Sequence, residues 1–104
     1  MIYKTTNDTE KLTIELKGNL TFSDYATFNQ ILDLIKKNKG KKCVFDLQAL
    51  VNIDSAGLGM LILCKEQLAD SSQNISITNA KGHVGKMLQL GKFNEIFEIH
   101  FITD

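Results

Sequence analysis

The sequence predicts an α/β fold, with helices packed on a mixed β-sheet in the order β-β-α-β-α-β-α-β. Three patterns in its 104 residues point there. Leu12, Ile14 and Leu16 alternate with Thr13, Glu15 and Lys17, the period of a half-buried strand. Phe28, Ile31, Leu32 and Ile35 recur at helical spacing, and short apolar strings such as Cys43-Val44-Phe45 precede further helical stretches. The length suits one domain over residues 1–104, enough for a single core.

Each element follows from local signals. Ile2 to Thr6 forms a first strand, Asn7-Asp8-Thr9-Glu10 breaks it, and the alternating strand that follows closes a hairpin and ends at Gly18. Thr21 followed three residues later by Asp24 has the layout of a capping box, so a helix runs from there to about Asn38. Lys39-Gly40-Lys41-Lys42 is a polar break, and the lysines from Lys36 onward read as a solvated helix end, not as a nucleic-acid patch. Cys43 to Leu47 is apolar enough for a central strand. A connecting turn leads to a second helix at Ser55, with Leu58, Leu61, Ile62 and Leu68 on one face and Leu63 and Cys64 widening that stripe. Residues 70–74 read as a loop, Ile75 to Thr78 as a strand, Val84, Met87 and Leu88 as a third helix ending near Gly91, and Glu98 to Ile102 as a last strand.

Composition narrows the function classes. Twelve basic side chains balance twelve acidic ones, so no global field would hold nucleic acid or an anionic membrane. The longest uninterrupted apolar run, Met60 to Cys64, is far short of a membrane span, and the start of the chain lacks the layout of a signal peptide. A cytoplasmic location without membrane insertion is the expectation. Cys43 and Cys64 both sit in apolar segments and read as small core hydrophobes, not as a disulfide.

The stretch Ile53-Asp54-Ser55-Ala56-Gly57-Leu58-Gly59 organises the rest. Asp54 or Ser55 can cap the helix that starts here, and free N–H groups with the positive end of the dipole favour an anion beside the hydroxyl. Ser55 is therefore a candidate phosphate acceptor. Ala56, Gly57 and Gly59 add almost no bulk around it, and the two glycines are expected to serve access more than backbone geometry. On that expectation Gly57→Ala keeps or raises the melting temperature.

Val44-Phe45-Asp46-Leu47, Val51 and Ile53-Asp54-Ser55-Ala56-Gly57-Leu58-Gly59 together resemble the signature of the STAS domain, in particular the bacterial anti-sigma factor antagonists. Gly18-Asn19-Leu20, Ile75-Ser76-Ile77-Thr78-Asn79 and Val84, Met87, Leu88, Phe93 and Phe97 resemble the family's other landmarks in order, so the likeness covers nearly the whole chain. It implies a regulatory module that switches partners. The serine after the aspartate, Ser55, would be phosphorylated by an anti-sigma factor with serine-protein kinase activity and reset by a serine phosphatase. Partner contacts would come from Asp54, Ser55, Ala56, Gly57, Leu58 and Gly59, with Thr21 where many members carry an acid and Asp24 as its substitute. The other role implied by the resemblance is an accessory subunit of a lipid-transport ABC transporter. Neither calls for a cofactor or a metal.

Enzyme motifs are incomplete. A nucleophile elbow needs glycine where Ile53 stands, and nothing in the spacing brings His83 or His100 to Ser55. Gly82-His83-Val84-Gly85-Lys86 lacks the first glycine and the metal-binding hydroxyl of a phosphate loop, having Ala80 and Met87 there. The chain is expected to be a kinase substrate and not a catalyst.

Overall fold

Strand β2, Lys11–Leu20, is the hinge of the architecture, because three other strands pair with it. A computed structural model describes residues 1–68 and 74–102. β1, Ile2–Asn7, pairs with β2 antiparallel, from Ile2 opposite Lys17 to Asn7 opposite Leu12. On the other side β3, Lys42–Asp46, runs parallel to β2, followed outward by β5, Ile75–Ala80, and β6, Glu98–Phe101, also parallel. The expected hairpin and mixed sheet are both present.

The order β1-β2-β3-β5-β6 means that each parallel step moves in the same direction along the sheet. Right-handed crossovers then put the connecting helices on one face: α1 at Tyr25–Lys37, α2 at Ser55–Gln67 and α3 at Gly82–Leu90. Burial agrees. Leu12, Ile14 and Leu16 of β2 are at most 1% exposed and meet Phe28, Ile31 and Ile35 of α1, Phe45 of β3 and Leu61 of α2 in one core. The rings of Phe28 and Phe45 stack with centroids 6.1 Å apart. Cys43 and Cys64 lie free inside this core. The loop expected over residues 70–74 falls, apart from Asn74, outside the described residues.

One short strand was not foreseen. β4, Leu50–Ile53, occupies what reads in sequence as a connecting turn, and it pairs parallel with the far end of β2. Its pattern of buried Leu50 and Ile53 around exposed Val51 and Asn52 lacks the alternation that marks a strand. The pairing depends on a bulge: the register shifts between Gly18 and Asn19, where Gly18 takes φ +94°, a left-handed conformation that glycine adopts at little cost. Gly18 thus bends β2 instead of ending it, and delivers Leu20 to the start of α2.

Candidate functional site

The geometry around Ser55 is built from that bend. The Leu20 carbonyl accepts the Asp54 N–H at 3.2 Å, tying the residue before α2 to the end of β2. Asp54, extended at φ −105° and ψ −178°, then takes the cap position, and its Oδ1 accepts the Gly57 N–H at 2.8 Å. Of the two candidate caps, the structure uses Asp54. Ser55 is left as the first helical residue, exposed, and no hydrogen bond among the described residues engages its hydroxyl.

Gly57 corrects an expectation. It is buried, and a Cβ placed on it would overlap the Leu20 carbonyl oxygen and come within 2.8 Å of Ile53 Cγ1. Gly57 therefore serves the close approach of α2 to β2 and not access to Ser55, and the expected tolerance of Gly57→Ala is overturned with it. Gly59, by contrast, is exposed, with nothing within 4 Å of an added Cβ, which is compatible with the access role expected of it. Ala56 and Leu58 are half-buried, Leu58 against the core.

Thr21 and Asp24 form the second wall of the site from within. The Asp24 carboxylate accepts the Thr21 N–H at 2.9 Å while the Asp24 N–H donates to the Thr21 carbonyl at 2.9 Å, closing a 3-10 turn over Phe22–Asp24 ahead of α1. The Met1 ammonium adds a 2.8 Å ion pair to the same carboxylate. Burial raises the cost of its charge, but the Met1 and Thr21 hydrogen bonds outweigh that and hold Asp24 below the ordinary carboxyl range. At 9% exposure and with its oxygens engaged, Asp24 is a structural carboxylate, which corrects its assignment as a substitute acidic contact.

Between the two helix starts lies a groove of about 390 Å³ lined by Phe22, Tyr25, Ala56, Gly59, Met60 and Leu63. Its lining carries no charged side chain. Phe22 is 75% and Tyr25 54% exposed, large values for aromatic rings. Ser55, Gly59 and Leu63 follow one another at i, i+4 and i+8, so the hydroxyl stands on the ridge that borders the groove. Leu63, expected to widen the core stripe, faces this groove only half-buried. Phe22 and Tyr25 were missed in the sequence, although a capping box that turns Thr21 and Asp24 inward leaves Phe22 between them no route to the core. His83 and His100 are exposed, and His100 pairs with Glu98 at 3.0 Å on the edge strand.

Comparison with known proteins adds the family. A family model described as "Mlab, STAS domain" matches residues 4–100. A STAS-domain containing protein of Pseudomonas aeruginosa (strain UCBPP-PA14) is 28% identical over 92 residues, 88% of this chain and 90% of that protein. Among solved structures, an anti-sigma factor antagonist from Mycobacterium paratuberculosis superposes with a TM-score of 0.83 at 14% identity, covering 95% of this chain and 84% of the other. A sulfate transporter family protein from Wolinella succinogenes reaches a TM-score of 0.76 at 17% identity, with coverage of 92% and 80%. The family match begins inside β1 and ends inside β6, so it takes in the bulged β2, the Asp54 cap and the whole helix layer: the chain belongs to the STAS domain family.

Proposed function

We propose that this protein is a partner-switching regulator of the anti-sigma factor antagonist kind, whose free form binds a serine-kinase partner and whose Ser55 phosphate releases it. The observation that carries the reading is an exposed, unengaged hydroxyl on the border of an uncharged apolar groove. Asp54 does the capping, so modifying Ser55 costs the helix nothing, and the groove offers a partner's apolar side chain a place to bury. A phosphate adds about −1.5 to −2 charges beside the Asp54 carboxylate. Desolvating that charge against an apolar contact, with like-charge repulsion, is worth roughly 3 kcal/mol, about a hundredfold in affinity. The dipole of α2 returns only about 0.3–1 kcal/mol. Release wins.

A shared fold does not choose between roles, since the same architecture occurs in an anti-sigma factor antagonist and in a sulfate transporter family protein. A second reading, implied by the STAS resemblance, is an accessory subunit of a lipid-transport ABC transporter that docks permanently through the same groove. Incubation with the kinase encoded nearest this gene, followed by phosphosite mapping, separates the two. Phosphate on Ser55, tight binding by Ser55→Ala and weakened binding by Ser55→Asp support the switch. Equal affinity of wild type, Ser55→Ala and phosphorylated protein removes it in favour of permanent docking.

A further inference from the structure

We draw no further inference here: the strongest candidate, the groove of about 410 Å³ that Lys81, Lys86 and Phe101 line between the start of α3 and the end of β6, rests on a helix N-terminus, and nothing in the structure shows what it would hold.

Discussion

At the scale of single residues, two glycines separated by one position have opposite duties, and the difference is measurable. Gly57 faces the Leu20 carbonyl and Ile53, where a methyl group finds backbone that cannot move without displacing β2. Gly57→Ala should therefore destabilise the fold by about 1–3 kcal/mol, the range of overpacking. Gly59 faces open space within the same helix, so Gly59→Ala should stabilise by about 0.5–1 kcal/mol. Thermal melts of the two variants should move in opposite directions; a shift of the same sign in both would remove the packing account of Gly57. From sequence the two are equivalent, because an Asp-Ser-x-Gly-x-Gly string carries no record of which glycine meets a neighbouring strand. The buried cysteines make a second residue-scale case. Burial, and for Cys43 also the neighbouring Cys64, pushes both thiols up to about 12, so a thiolate-seeking reagent at mildly alkaline pH should label neither until denaturant exposes both. Rapid labelling of the native protein would contradict that packing.

Among the elements, the entry to α1 holds the clearest dependence on pH. The Asp24 carboxyl is held below its ordinary value near 3.8, so its ionised form is favoured by folding. A group lowered in this way contributes stability that is fully present above the unfolded value and is lost as pH falls through the folded one. Asp24→Asn should thus melt below wild type at neutral pH, and the gap should narrow as pH drops beneath about 4. A gap that stays constant down to strong acid would mean that Asp24 acts through shape alone. This turn was half legible: Thr21 and Asp24 announced a cap, but the residue that joins them to the body of the protein, Met1, is far away in sequence. The same holds for β4. Its residues pair with β2 only because Gly18 takes a positive φ, a long-range consequence that local alternation in 50–53 cannot express. By contrast β2 and α1 were legible because each shows one polarity period that a single buried face imposes.

Over the whole molecule, the packed core and the proposed recognition groove are separate surfaces. The core that joins β2, β3 and β5 to the helices consists of residues such as Ile14, Ile31, Phe45 and Leu61, none of them measurably exposed, whereas the groove beside Ser55 is lined by Phe22 and Tyr25, both more than half exposed. Periodicity finds the first set because it repeats; the second comes from two helix starts that meet only after folding, so apart from the capping box that leaves Phe22 outside, its aromatic wall had no signature in either segment. The separation predicts how truncations behave. Phe22→Ala removes little buried area and should change stability by no more than about 0.5 kcal/mol, as surface substitutions do. If the groove receives a partner's apolar side chain, the same change should weaken binding of the unphosphorylated protein to the proposed kinase partner by about 1–2 kcal/mol, about five- to thirtyfold. Ile31→Ala should show the converse, losing about 2–5 kcal/mol of stability by opening a cavity, while whatever remains folded binds normally. Isothermal titration beside thermal melts reads both quantities on one set of proteins. Should Phe22→Ala bind like wild type, the groove is not the partner's seat, and the release mechanism would need a contact surface on the other side of Ser55, where Val51 and Asn52 are the exposed neighbours.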